Sequence, residues 1–251
     1  MKKRFILFLF SGTIFFGIMI FLSSPYRELR PYALFGKKIP AKLGLEHIIE
    51  GDHVKILIHG DDDVEDFYID QIPVTIGDYK NCLHHGVCQT QHYKNTYTKY
   101  LDNIFYSSLP VSFVTWDEAR IFCTSKGGDL PTIRQWEEAA GAKYGYDYAW
   151  GNAMPSVSAA NADGFYQSHT PAGWLPRGAS PYGVLDMNGN VREWVLDSSA
   201  ENGSEKGLKG GSFQDSFSSV KNESSFYHEP TSSGFNRGFR CVYPGKTAAD
   251  K

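Results

Sequence analysis

Oxygen-bearing side chains recur at every second position in one short segment of this sequence. Asp186, Asn188 and Asn190 alternate around Gly189, and Glu193 follows within one further turn of chain. Carboxylate, amide and carbonyl oxygens are the hard ligands that Ca²⁺ prefers. The spacing therefore predicts a structural calcium site, and the alternative is an Asn-Gly turn that caps a strand without any metal.

The four cysteines are the second group of residues with a chemistry of their own. Cys82 and Cys88 bracket a short segment, whereas Cys123 and Cys241 lie far apart in the sequence. The sequence contains no Cys-x-x-Cys redox motif and no paired Cys/His spacing of the kind that binds zinc. Two structural disulfides formed in an oxidising compartment are the simplest account, so we expect the body of the chain to be exported.

Two other clusters are weaker candidates for metal binding. His84 and His85 stand side by side among eight histidines, and they favour a solvated loop over a ligand pair. The acidic residues between positions 61 and 66 likewise favour a solvated turn over a metal-binding loop.

The amino-acid composition indicates what kind of domain positions these side chains. The chain has 251 residues, with 25 Lys+Arg against 28 Asp+Glu and a formal charge of −3. That length is ample for burying a core, and the near-neutral balance lacks the basic surplus of a nucleic-acid-binding domain. The sequence is rich in aromatic residues and glycine, with 17 Phe, 15 Tyr, 5 Trp and 25 Gly. This composition favours a loop-rich globular domain.

Hydrophobic patterns predict few regular elements. Residues 53–59 and 67–70 have the pattern of strands, and residues 74–83 that of the start of a helix. Two Thr-x-x-Glu/Gln capping boxes, which begin at Thr115 and Thr132, predict two more helices. The remainder of the chain shows turn residues and short strands. We therefore expect one α+β domain with little regular secondary structure.

The N-terminal segment is hydrophobic. A cationic start precedes an uncharged run from residue 5 to residue 22, which is just long enough to span a bilayer. No small-x-small cleavage site follows it, so residues 1–22 are predicted to be one transmembrane helix that anchors the chain; the alternative is a cleaved signal peptide. Residues 23–52 have the composition of a tether, and residues 53–251 form the predicted domain. Cations on both sides of the span leave its orientation open.

A series of motifs occurs in an order and at spacings that indicate a known family. The motifs at residues 110–119, 129–140, 148–152, 182–194, 209–213 and 238–241 read PVSFVTWDEA, DLPTIRQWEEAA, YAWGN, YGVLDMNGNVREW, KGGSF and GFRC. Together with the strand at residues 67–70, they resemble the formylglycine-generating enzyme family, that is, the sulfatase-modifying-factor domain. The resemblance extends from about residue 64 to residue 244. It implies a variant C-type-lectin-like fold.

The resemblance also implies disulfides and calcium ligands. The implied disulfides are Cys123–Cys241 and a local clip, Cys82–Cys88. The residues that match the family's calcium ligands are Asp186, Gly189, Val191 and Glu193. A second calcium site of the family would include Asn161 and the Ala162 carbonyl, although its remaining aspartate has no clear match in this sequence.

The family's catalytic copper has no matching ligands. Members that make formylglycine hold copper with two cysteines shortly after the Gly-Gly-Ser motif, and the corresponding positions here are about Asp215 and Val220. Soft thiolates are the ligands that hold Cu(I), and neither a carboxylate nor an aliphatic side chain replaces them. We therefore expect no copper and no formylglycine generation.

Part of the family's substrate groove persists. Ser212 and Asn236 match groove positions, whereas Arg192 replaces the usual tryptophan. With Asp215, these residues are the candidate site. A new charge in the groove predicts a different ligand; the alternative is that Arg192 is simply an exposed ion-pair partner.

Two functions follow from these expectations. The first is a membrane-anchored, exported accessory or binding module that holds a protein, peptide or glycan partner, contains structural calcium and does not bind nucleic acid. The alternative is a periplasmic oxidase or maturation enzyme of the same family that uses other chemistry. Both functions place the N-terminal helix in the inner membrane and the body of the chain in the periplasm or outside the cell.

Overall fold

The part of the chain that the structure describes contains two four-stranded sheets and three short α-helices. The computed structural model describes residues 46–50, 53–61, 64–89, 106–199 and 203–245. The strands are β1 His47–Glu50, β2 His53–Ile58, β3 Phe67–Asp70, β4 Arg192–Ser198, β5 Lys206–Lys209, β6 Ser225–His228, β7 Arg237–Gly238 and β8 Val242–Pro244. The helices are α1 Ile76–His84, α2 Trp116–Ser125 and α3 Ile133–Ala140.

A membrane-spanning helix is not found among the described residues. None of the helices in those ranges has both the length and the apolar character to cross a bilayer. The predicted anchor at residues 1–22 lies outside the described residues.

Each helix begins at a threonine cap. At the start of α2, the Thr115 side chain accepts a hydrogen bond from the Glu118 amide, and the Glu118 carboxylate accepts one from the Thr115 amide. Thr132 caps α3 in the same way, as predicted, and Thr75 caps α1. Such boxes satisfy amides that otherwise have no partner in the first turn. Gly141 ends α3 in the left-handed conformation, with φ at 89°.

The first sheet has the order β1-β2-β3-β8, with antiparallel neighbours throughout. The predicted strands at residues 53–59 and 67–70 are confirmed as β2 and β3. The predicted tether at residues 23–52 is wrong at its end, because β1 lies within it and pairs with β2. Two adjacent isoleucines, Ile48 and Ile49, are too short a pattern to predict a strand. β1 is stabilised by its backbone pairing with β2 rather than by its own sequence.

The second sheet has the order β6-β5-β4-β7, and it is mixed because β4 and β7 run parallel. Long connections without strands or α-helices separate α3 from β4. This architecture confirms the prediction of an α+β domain with few helices. It also brings β7 beside the start of β4, where the candidate groove residues lie.

Two apolar clusters hold the sheets and helices together, each around a fully buried tryptophan. Trp194 lies in the cluster that packs against α1 and α2, and Trp136 lies in the cluster under the first sheet. The Trp194 indole N–H donates to the Val114 carbonyl over 3.0 Å, and that of Trp136 donates to Glu193 over 2.8 Å. These bonds let large aromatic side chains enter the core without leaving a polar atom unsatisfied.

Two disulfides cross-link the domain. Cys82 is joined to Cys88, and Cys123 is joined to Cys241 across a separation of 118 residues. Both predicted pairings are thus present in the structure. Because the sequence has four cysteines and all of them form these bridges, no thiol is free.

The buried carboxylate of Asp70 gives the domain a predicted pH dependence. Burial raises its pKa from 3.8 to about 6, against a hydrogen bond from the Cys241 amide. A folded-state pKa above the unfolded value means that this group's contribution to stability is lost as pH rises from about 4 to 6. We therefore compare the free energy of unfolding of Asp70→Asn with that of wild type at pH 4 and at pH 7. We expect the difference to shift in favour of the variant by up to about 3 kcal/mol as pH rises from 4 to 7, because only the wild type carries the buried carboxylate.

Urea unfolding at both pH values measures this gain. Asp117→Asn, which removes an exposed carboxylate at the start of α2, is the matched control. A difference between Asp70→Asn and wild type that is the same at both pH values would contradict the prediction.

Candidate functional site

An arginine–aspartate pair occupies the centre of the candidate groove. Arg192 begins β4, and its guanidinium donates two hydrogen bonds to Asp215, from Nε to Oδ2 over 3.0 Å and from Nη2 to Oδ1 over 2.5 Å. The two side chains are 16% and 14% exposed. Arg192 is thus an ion-pair partner, as the alternative interpretation held, but it is largely buried rather than exposed.

Asp215 is further held by Ser212. The Ser212 hydroxyl donates to Asp215 Oδ2 over 2.7 Å, and the Ser212 amide donates to the same oxygen over 2.8 Å. Burial acts to raise the pKa of Asp215, but the hydrogen bonds from Arg192 and Ser212 outweigh it and hold the pKa below its ordinary value. Asp215 is therefore a fixed negative charge rather than a proton donor near neutral pH.

Asn236 joins this group through the backbone. Its carbonyl accepts a hydrogen bond from the Arg192 amide over 2.9 Å, just before the short parallel pairing of β4 with β7. The structure therefore brings all four predicted groove residues together: Ser212, Asp215, Asn236 and Arg192. What they form is a hydrogen-bonded cluster in which Ser212 and Arg192 are already engaged by Asp215.

Three neighbours of this cluster were not among the predicted site residues. Phe226 lies under the Arg192 guanidinium, 4.0 Å from its carbon to the ring centroid. Arg237 pairs in register with Arg192, and the charges of both arginines act on His228. Isolated Phe, Arg and His residues carry no motif, and their proximity arises from the strand order of the second sheet.

The positions of the family's copper ligands do not fit copper. Asp215 is committed to Arg192 and Ser212. Val220 is fully buried in an apolar cluster with Tyr148 and Ala162. Its side chain packs so closely against Gly211 that a Cβ atom added to that glycine would lie 2.4 Å from the Val220 Cγ1 atom. All four thiols of the chain are in disulfides. The donor set for Cu(I) is therefore missing, because neither side chain is soft and no cysteine is available.

The carboxylates of the predicted calcium set take protein partners. Both oxygens of the buried Glu193 accept hydrogen bonds from Arg240, over 2.7 and 2.8 Å, and one also accepts from Trp136. Asp186 accepts from the Gly173 amide over 2.7 Å, and Arg240 is also the cation that acts on it. Within the described ranges, no three acidic, histidine or cysteine side chains cluster as a metal group. Calcium at Asp186, Gly189, Val191 and Glu193 stays a prediction.

The alternating asparagines act as clamps between loops. Asn188 accepts from the Ala149 amide and donates to the Val220 carbonyl, over 2.8 and 2.7 Å. Asn190 accepts from the Thr170 amide and donates to the Thr170 carbonyl, each over 3.1 Å. Gly189 makes the turn between them, with φ at 90°. The pattern thus has a structural use that requires no metal.

The second predicted calcium position holds an unpartnered acceptor. Asn161 is 1% exposed, and its side-chain oxygen has no hydrogen-bond partner among the described residues. The Ala162 carbonyl beside it accepts one bond, from the Phe165 amide over 3.3 Å. A buried amide oxygen without a donor is destabilising unless a cation or water meets it, so this atom fits a calcium ligand.

Comparisons with known proteins agree with the sequence motifs. The family model for the sulfatase-modifying factor enzyme 1-like domain matches residues 54–244. The inactive C-alpha-formylglycine-generating enzyme 2 of Bos taurus is 32% identical over 153 residues, 53% of this chain and 50% of that protein. Hercynine oxygenase of Mycolicibacterium smegmatis is 41% identical over 92 residues, 34% of this chain and 21% of that protein. The chain spans half or less of the length of these curated relatives.

The fold is also found among solved structures. Treponema denticola variable protein 1 superposes with a TM-score of 0.58 at 18% identity, covering 80% of this chain and 99% of that chain. At this identity the match shows the fold alone. The predicted formylglycine-generating-enzyme-like and C-type-lectin-like arrangement, with mixed sheets and few helices, is therefore confirmed. Because the family model matches most of the chain, this protein belongs to the sulfatase-modifying factor enzyme 1-like domain family.

Proposed function

We propose that this chain is a copper-free accessory or binding module of its family. It is tethered to the inner membrane by residues 1–22, exposed in the periplasm or outside the cell, and it holds a protein, peptide or glycan partner at the groove. The observation that carries the proposal is the chemistry of the lost copper site: Asp215 is occupied by Arg192, and all four cysteines are in disulfides. The similarity to a relative that is named inactive gives further support.

The first experiment measures the metal content of the purified full-length protein by mass spectrometry, after dialysis without chelator. We expect no stoichiometric copper or iron. A signal near one copper or iron per chain would contradict the proposal and favour the enzyme. Metal content comes first because it separates the two functions before any partner is known.

A second experiment locates the partner. A photoreactive residue at Gln214, which is exposed and whose amide donates to the Ser212 hydroxyl in the groove, is expected to capture the partner in cells. The same residue at Met154, which is 88% exposed, controls for contact with any exposed surface. Equal capture at the two positions would contradict binding at the groove.

One observation favours the alternative function, which is a periplasmic oxidase or maturation enzyme. One relative, hercynine oxygenase of Mycolicibacterium smegmatis, is named an oxygenase, although the match covers 34% of this chain. Within the described ranges, no three acidic, histidine or cysteine side chains cluster as a metal group, and Asp215 is paired with Arg192. The binding module is therefore the function that we favour.

We also propose that the loops that contain Asp186 and Asn161 bind structural calcium. If calcium binds at a concentration about 100-fold above its Kd, it stabilises the fold by about 2.7 kcal/mol. For a domain of this size this is a rise in melting temperature of roughly 5–10 °C over the protein in chelator. Asp186→Asn keeps an acceptor for the Gly173 amide, and Asn161→Leu removes the unpartnered oxygen. The variant in which the calcium response disappears identifies the site, and equal melting of wild type with calcium and with chelator would contradict the proposal.

A further inference from the structure

Two arginines stand side by side at the edge of the groove. β4 and β7 run parallel, and Arg192 is in register with Arg237. Paired residues of neighbouring strands project from the same face of a sheet, and the strands lie about 4.8 Å apart. The fold therefore brings two guanidinium groups together at one position, although like charges at such a distance repel.

The two arginines differ in their partners. Arg192 is neutralised by Asp215 through two hydrogen bonds. Arg237 donates from Nη1 to the neutral Ser232 hydroxyl over 2.9 Å, and its Nε is buried without an acceptor among the described residues. Within those ranges no acidic side chain forms an ion pair with Arg237. Among the described residues, one positive charge of the pair thus lacks a counter-charge.

The positive charges of the two arginines lower the pKa values of neighbouring groups. Burial and the charge of Arg192 lower the pKa of Arg237. Burial, and after it the charges of Arg237 and Arg192, lower the pKa of the nearby His228. A negative group bound here would act on both residues in the opposite direction.

We propose that Arg237, supported by Arg192, binds an oxyanion of the ligand, that is, a carboxylate, sulfate or phosphate group. This inference rests on the proposed function, and it names the chemistry of the partner at the groove. A guanidinium presents parallel N–H donors that match two oxygens of such a group, and a half-buried site strengthens these bonds. Phe226, packed under Arg192, and the partly buried Phe235 give the ligand an apolar wall beside the charge.

The test titrates full-length protein in detergent with sodium sulfate, phosphate or acetate at an ionic strength held constant with sodium chloride. The readout is the ring signal of His228 in the NMR spectrum, assigned by its loss in His228→Asn. We expect at least one of the three anions to raise the pKa of His228 saturably, whereas chloride does not. The anion that saturates at the lowest concentration identifies the oxyanion. A response to all three that equals the response to chloride would overturn the proposal.

Variants separate the site from general charge effects. Arg237→Gln is expected to weaken binding about tenfold or more, because a charge-assisted bond is lost. Arg177→Gln removes an exposed arginine elsewhere and is expected to bind as wild type does. Ser232→Ala, which frees the Arg237 side chain from its anchor, is expected to weaken binding less, and it tests the site if Arg237→Gln fails to fold. Equal affinities of wild type and both site variants would overturn the proposal.

The outcome is independent of the proposed function's own test. A protein without copper or iron that binds none of the three oxyanions contradicts this inference alone. A stoichiometric copper signal contradicts the proposed function whatever the sulfate titration shows.

Discussion

Replacing both Cys123 and Cys241 with alanine is expected to lower the free energy of unfolding by about 4–5 kcal/mol. The bridge closes a loop of 118 residues. For a loop of that length, the chain-entropy model gives about 4–5 kcal/mol of stabilisation, because the bridge restricts the unfolded chain. Both cysteines are fully buried, and they join α2, which contains Cys123, to Cys241 directly before β8. Since a typical domain has a stability of about 5–15 kcal/mol, the variant is expected to be close to unfolding.

Urea unfolding of the double variant measures this loss, and Cys82→Ala with Cys88→Ala is the matched control. That second bridge spans 6 residues, for which the same model gives about 2 kcal/mol. Equal losses from the two bridges would contradict the argument from loop length. Reduction of the wild type by dithiothreitol breaks both bridges, so it is expected to lower the free energy of unfolding by about the sum of the two losses without any substitution in the core.

The second large effect is expected at Arg240, which together with Glu193 forms a fully buried ion pair. Arg240 also donates to the carbonyls of Asp70 and Leu185. Removal of one member of such a pair leaves the other charge buried and unpaired, which destabilises a protein by about 3–5 kcal/mol. We expect Arg240→Met to show a loss of this size in urea unfolding.

A double variant shows whether the lost charge is the cause. Arg240→Met with Glu193→Gln removes both charges and is expected to recover part of the stability of the single variant. Calcium adds a second test, because a cation bound by Glu193 would take the place of the arginine. If calcium stabilises Arg240→Met more than it stabilises wild type, it supports the predicted site at Glu193; an equal effect on both proteins contradicts it.

Local signals were the part of the fold that the sequence could predict. Thr115 and Thr132 mark helix starts because a capping box needs no information from beyond four residues. The Cys123–Cys241 bridge could be predicted from the family resemblance, whereas composition and spacing left the pairing open. β1 could not be predicted, since a strand of four residues is defined by its neighbour and not by its own pattern.

The candidate site shows the same division between local and distant contacts. Ser212 and Asp215 lie three residues apart, so their proximity follows from the sequence, and Arg192 was expected in the same groove. Its pairing with Asp215 spans 23 residues and depends on how the second sheet folds. Glu193 was assigned to calcium from its own motif, and its ion-pair partner in the structure, Arg240, lies 47 residues away, beyond the reach of any local pattern. A carboxylate can be recognised in a sequence, but the cation that it meets cannot.

The position of β8 has a consequence for the synthesis of this protein. β3 pairs with β8, and the Asp70 carboxylate accepts from the Cys241 amide across 171 residues. At about 5–20 residues per second, a ribosome needs roughly 10–30 s to make the chain that separates these partners. During that interval β3 has an open edge of the kind that pairs with other chains. A nascent chain of this protein therefore depends on being shielded until β8 is made, and a truncation before residue 242 would leave that edge permanently exposed.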